Sequence, residues 1–184
     1  GVTLNWEKTD ENTWKINSTK ETVITVTYDI KATRAFVASS YLGADRAYII
    51  PGALFLYPEG KINEPSTIKI NPINNWTIAT GLSKIKDQTN TYFALNYDVL
   101  YDSPLLVGPL ESLSSFTVKG IPHYFVGYKM GDFDKEKFIA DIKKIVESAS
   151  DLIGDIPYKD YTFIAIGPGQ GGIEHLNSTT ISFN

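Results

Sequence analysis

Cysteine is absent from the 184 residues, and that absence removes disulfide frameworks, thiolate metal sites and thiol nucleophiles together. Histidine is nearly absent. With only His123 and His175 present, the zincin signature H-E-x-x-H cannot be written anywhere in the chain, because it needs two histidines on one helical turn with a glutamate beside the first. No apolar run approaches the ~20 residues of a membrane-spanning helix, and no signal-peptide pattern opens the sequence. Charge of one sign is not concentrated either. Lys and Arg number 17 against 21 Asp and Glu, a net charge of −4, and the signs are interspersed without a basic stripe. Neither nucleic acid nor an anionic membrane surface is an expected partner. Cysteine usage leaves the compartment open, with a periplasmic or secreted setting favoured over the cytoplasm.

What is present is enough for a core. A hydrophobic content of 42% over this length fits one large domain or two small ones. Ile24, Val26, Tyr28 and Ile30 alternate with Thr25, Thr27 and Asp29, which predicts a half-buried antiparallel strand. Further short β-favouring runs fall at residues 53–57, 66–70, 76–79, 91–95, 105–107 and 114–118. They are separated by turn residues such as Pro58-Glu59-Gly60, Asn71-Pro72 and Asp102-Ser103-Pro104. Many short strands punctuated this way predict a β-sandwich over residues 1–130.

Helical periodicity begins at Asp134. Phe138, Ile142, Ile145, Val146, Ala149, Leu152 and Ile153 stripe one face. Asp134 is placed to cap the helix, Phe133 and Phe138 to staple that cap, and Gly154 to end it. Such a stripe must pack against the apolar runs on either side, 123–129 and 161–166, giving a strand, helix, strand, strand unit. The change of period near Gly131 marks the expected boundary between the sandwich and an α+β domain spanning 131–184. The fold class expected is therefore mainly β, with the first β-α-β-β elements of an α+β domain behind an antiparallel sandwich.

The candidate site lies at the end of the chain. The run 161–166 feeds a turn containing Gly167, Gly169, Gly171 and Gly172, and a second β-favouring run, 173–183, opens with Ile173, Glu174 and His175. Gly167, Gly169 and Gly172 satisfy GxGxxG, but a dinucleotide site needs a helix at the third glycine, and Ser178-Thr179-Thr180-Ile181 predicts a strand. Alternation sends Ile173 toward the sheet packing and Glu174 toward solvent or a ligand. Adjacent strand residues face opposite ways, so Glu174 and His175 do not make a metal site together. His123, after Pro122, reads as a turn residue bonded to backbone, and Asp98 and Asp102 as turn carboxylates able in principle to hold an amine. Asn17, Asn75 and Asn177 fit the glycosylation sequon, a match with little specificity in an Asn- and Thr-rich chain.

Four ordered segments carry a family resemblance. Residues 171–179, GGIEHLNST, resemble the GG[LI]EHxxST segment of the glycyl aminopeptidase family, zinc metallopeptidases that often carry a PDZ domain. Residues 75–82, NWTIATGL, are similar to its W-x-[VI]-A-T-G-L segment, 97–104, YDVLYDSP, to YDxLxDSP, and 120–123, GIPH, to its GxPH turn. The resemblance implies an N-terminal β-sandwich followed by the start of a thermolysin-like catalytic domain. The H-E-x-x-H motif would lie beyond Asn184, so zinc would be held by the longer protein and not by this chain. It implies a peptide substrate with a small N-terminal residue, Gly or Ala. The peptide would be bound by Gly171, Gly172, Glu174, His175 and Asp102, and a downstream catalytic domain would be the partner. The chain alone is expected to be inactive. Two positions depart from the pattern: Leu106, where the family is usually acidic, and Leu176, where it is often polar. The alternative function is a non-catalytic β-sandwich module that binds glycans or protein surfaces.

Overall fold

The computed structural model describes residues 2–18, 23–73 and 75–183, with Ala35 described in its backbone alone. The chain divides into two compact units, Gly1–Ile30 and Lys31–Asn184.

In the first unit, β1 (Trp6–Asp10) and β2 (Thr13–Ile16) form an antiparallel hairpin with an irregularity between Lys8 and Asp10. The strand expected around Ile24 to Ile30 is not formed among the described residues. Ile24, Val26, Tyr28 and Ile30 are 37–51% exposed, and no ladder joins this segment to another. Alternation says which face of a strand would be apolar, but a strand needs a neighbour to bond its backbone.

The described residues of the second unit form three sheets. One runs β3 (Thr33–Phe36), β4 (Ser39–Leu42), β5 (Ala47–Ile49), β10 (Leu105–Gly108), β7 (Thr77–Thr80), and a smaller one runs β6 (Ser66–Lys69), β9 (Thr91–Ala94), β8 (Ser83–Lys84). All the pairings in these two are antiparallel. The third is mixed. Its order is β11 (Glu111–Ser112), β13 (Ile121–Gly127), β14 (Tyr161–Gly167), β16 (Ser178–Ser182), β15 (Gly172–Glu174), with β12 (Phe116–Val118) also paired to β13. β13 and β14 are parallel because helix α3 (Lys135–Ile153) carries the chain back between them. The result is a mainly β chain built on antiparallel sheets, as expected.

Alternation along β14 explains the layers. Ile164 packs with Tyr48, Ala79 and Leu106 toward the five-stranded sheet. Its neighbour Ala165 packs with Phe116, Phe125 and Ile139 under α3 on the other face. Leu105 and Leu106 are wholly buried in β10, between two neighbours of its sheet. An acidic residue at position 106 would be an unpaired charge in that core. Arg46 ties this layer to the glycine turn: Nε donates to the Ile166 carbonyl at 2.9 Å, and the guanidinium lies 4.8 Å from the rings of both Tyr41 and Tyr128.

Helix α3 is capped as expected. The Asp134 side chain accepts from the Lys137 amide at 2.9 Å, the Phe133 and Phe138 rings lie 5.3 Å apart, and Gly154 closes the helix at φ 87°. Ile139 is buried with Phe138, Ile142 and Val146 packed around it, whereas Ile145, Leu152 and Ile153 are 62%, 89% and 74% exposed. Elsewhere two strand expectations fail, and a helix forms where no element was expected. The strand at 53–57 is replaced by a short helix, α1 (Pro51–Leu54), with proline in its first turn, where its fixed φ suits a helix start. Residues 97–101 form helix α2 (Tyr97–Tyr101), whose cap Asn96 accepts from Val99 N at 2.9 Å. The run 173–183 breaks into β15 and β16, an antiparallel hairpin turning at His175 to Asn177.

Candidate functional site

The parallel strand β14 ends at Gly167, and the chain must double back to reach the sheet edge. Gly171 makes the return at φ +91°, a conformation that side chains resist, so the glycine there is a geometric requirement. Gly172 opens β15. A Cβ on it would sit 3.1 Å from the Thr180 carbonyl oxygen, tight against its partner strand.

β15 is the outer strand of its sheet. His175 N donates to Ser178 O at 2.8 Å and Ser182 N to Gly171 O at 2.9 Å, so the alternation of an antiparallel ladder also assigns Ile173 to the strand pairing. The amides and carbonyls of Gly172 and Glu174 consequently face away from β16, toward the open edge. Side chains alternate too: Ile173 packs against the core cluster, while Glu174 is exposed. Glu174 has no ion-pair partner among the described residues.

The turn behind this strand is fastened from three distant segments. Asp102, at the C-terminus of α2, uses both carboxylate oxygens: Oδ1 accepts from His175 Nδ1 at 2.9 Å and Oδ2 from the Leu176 amide at 2.7 Å. Because an ionised carboxylate only accepts, Nδ1 of His175 is the donor in this pair. His175 Nε2 is buried and has no hydrogen-bond partner among the described residues. Asn177 donates to the Gly81 carbonyl at 2.6 Å. From the neighbouring strand, Tyr161 donates to Ser178 O at 3.0 Å and also bonds the Thr179 hydroxyl. Burial first, and then the charges of Glu174 and Asp102, push the Tyr161 phenol above its ordinary value, so it stays a donor.

His123 lies further along the same layer. It is wholly buried in β13, not in a turn, although it does bond backbone: Nδ1 pairs with the Ile121 carbonyl at 2.9 Å and Nε2 with the Tyr158 hydroxyl at 3.1 Å. The carbonyl accepts only, so the proton is on Nδ1 and Tyr158 donates to Nε2. Tyr158 in turn packs 4.8 Å from Tyr161. The four segments that carried the family resemblance therefore meet around one turn: Gly81, Asp102, His123 through its tyrosines, and 171–179.

Two readings change. Asp102 is more than a turn opener, since its carboxylate holds a turn 73 residues away. Asn177 is a structural asparagine whose amide nitrogen is engaged. Asp98 sits in the first turn of α2, apart from this arrangement. Sequence reasoning missed Asn177, Tyr161 and Gly81 as site-supporting residues. Gly81 had a signal, since a Cβ there would lie 2.2 Å from Asn177 Oδ1, but its partner is invisible without the fold. No group of three or more possible metal ligands gathers among the described residues.

Residues 1–109 match the family model described as the Peptidase M61 N-terminal domain, and the chain belongs to that family. It is similar in structure to an aminopeptidase N family protein from Idiomarina loihiensis, with 28% identity and a TM-score of 0.87 over 99% of this chain. It covers 32% of that protein's chain. An M1 zinc metallopeptidase from Deinococcus radiodurans is more distant, at 16% identity and a TM-score of 0.51, covering 83% of this chain and 39% of the other. That likeness is one of fold. A comparison with curated proteins gives no match. The chain spans about a third of the length of the solved relatives.

Proposed function

We propose that this chain supplies the substrate-binding edge of a zinc aminopeptidase that releases small N-terminal residues, Gly or Ala, from peptides. The observation that carries the reading is Glu174: an exposed carboxylate without an ion-pair partner among the described residues, on an edge strand whose neighbouring backbone groups face outward. An extended peptide adds to that edge through the amides and carbonyls of Gly172 and Glu174. Its N-terminal ammonium meets the Glu174 carboxylate in a charge-assisted hydrogen bond, which places the first peptide bond one residue further on. Gly171 and Gly172 keep the approach free of side chains, and His175 and Asp102 support the strand from behind, at the turn that ends it.

The zinc implied by the family finds no donor set here. Both histidines already hold their Nδ1 protons on other groups, and no third ligand gathers beside either among the described residues. This chain's part is to bind and orient, with the metal ligands supplied by a catalytic domain that begins near Gly131, where the pattern turns helical, and continues downstream.

Glu174→Gln keeps the shape and removes the charge. An ammonium to carboxylate contact contributes roughly 1.5–3 kcal/mol, so kcat/KM of the full-length enzyme on a Gly-Ala peptide is expected to fall about ten- to a hundred-fold. N-acetylated peptides should be poor substrates for both forms and lose little further. An equal loss on both substrate types would show that Glu174 shapes the strand and does not read the amine.

A further inference from the structure

The geometry points to Asp102 and His175 as positioning residues that act on the peptide through the turn, and not as groups that touch it. This deepens the reading of β15 as a substrate edge and rests on it. Each Asp102 oxygen is engaged inside the chain, one by His175 Nδ1 and the other by the Leu176 amide, at 2.9 and 2.7 Å, so the carboxylate is oriented by the turn it holds. The His175 side chain is 12% exposed, and its second nitrogen is buried without a partner among the described residues. One nitrogen alone is therefore at work.

The consequence is mechanical. His175 follows Glu174 directly, so a carboxylate that grips the imidazole on one oxygen and the next backbone amide on the other fixes where β15 ends. Asn177, bonded to Gly81 O at 2.6 Å, and the Tyr161 hydroxyl hold the far side of the same turn. With the turn clamped at both sides, the outward groups of Gly172 and Glu174 are set in place before a ligand arrives. A ligand that meets a pre-ordered edge does not have to order it.

The isolation of Nδ1 gives a sharp test. Asparagine places a side-chain NH₂ donor close to where Nδ1–H lies, whereas leucine offers none. The chain as it stands is compared with His175→Asn, His175→Leu and Asp102→Ala by two measurements: hydrogen exchange at the Leu176 amide, and NMR titration with a Gly-Ala-Ala peptide. In the unsubstituted chain the imidazole should carry the ¹⁵N signature of the Nδ1–H tautomer. His175→Leu and Asp102→Ala are expected to speed Leu176 exchange about ten-fold or more and to weaken peptide binding to a similar degree. His175→Asn should stay within about three-fold of the parent in both. The proposal is overturned if His175→Asn is as impaired as His175→Leu, because Nε2 would then be the working atom. It is equally overturned if Asp102→Ala leaves Leu176 exchange unchanged. If the unsubstituted chain bound no peptide, the edge-strand reading would be the one to fail, while the exchange and tautomer measurements would still decide the clamp.

Discussion

His123 is held out of water with its ring stacked 4.9 Å from Phe116 and edge-on to Tyr158. Burial lowers its pKa below the ordinary histidine value, and the Ile121 carbonyl opposes this only in part. Because the folded value lies below the unfolded one, the unfolded chain binds the proton more readily. The neutral ring therefore supports the fold fully above the unfolded value of about 6.5, and that support is lost as pH falls from there through the folded value. Urea midpoints measured between pH 5 and 8 are expected to decline on the acid side, and His123→Gln should flatten that decline. An unchanged slope in the variant would move the acid sensitivity elsewhere. Tyr158 would feel the loss as well, since its hydroxyl donates to this ring.

At the scale of the element, α3 shows how much of a structure can be read locally. Its start and stop reside in a few adjacent residues, so Asp134 and Gly154 were identifiable before any contact was known. Asp134→Ala removes the acceptor for Lys137 N and is expected to cost about 1 kcal/mol by chemical denaturation. A cost near zero would mean that the staple between Phe133 and Phe138 holds the end alone. The strands were legible where both alternation and a neighbour existed, as in β7, β9, β10 and β14. Residues 24–30 alternate just as well and form no strand, because pairing belongs to the partner and not to the segment. Pro51 and Asn96 were the overlooked helix starts, the first because the apolar run after it suggested a strand. The hairpin of β15 and β16 was missed for a similar reason. His175 to Asn177 contains no glycine or proline to announce a turn, and a side chain that fastens it, Asp102, lies 73 residues away.

Across the whole molecule, Glu174 and the glycine corner stood out as a local pattern and Asp102 entered through the family resemblance, whereas Gly81 and Tyr161 are tied to the turn only by the fold. The same bookkeeping of side chains bears on metal. A zinc ion held for catalysis takes about three protein ligands, most often histidine, cysteine or carboxylate. Cysteine is absent and the two histidines are committed elsewhere: His123 is buried between Ile121 O and Tyr158, and His175 gives its Nδ1 proton to Asp102. Freeing His175 Nδ1 for a metal would break the Asp102 clamp, and no group of three possible ligands gathers around this ring among the described residues. This chain by itself, stripped of any affinity tag, is therefore expected to fold cooperatively, to bind zinc no more tightly than scattered surface carboxylates do, and to leave Gly-Ala peptides uncleaved. Isothermal titration with zinc, followed by elemental analysis after dialysis, checks it. One zinc retained per chain would place a metal site here and would return the role of His175 from clamp to ligand.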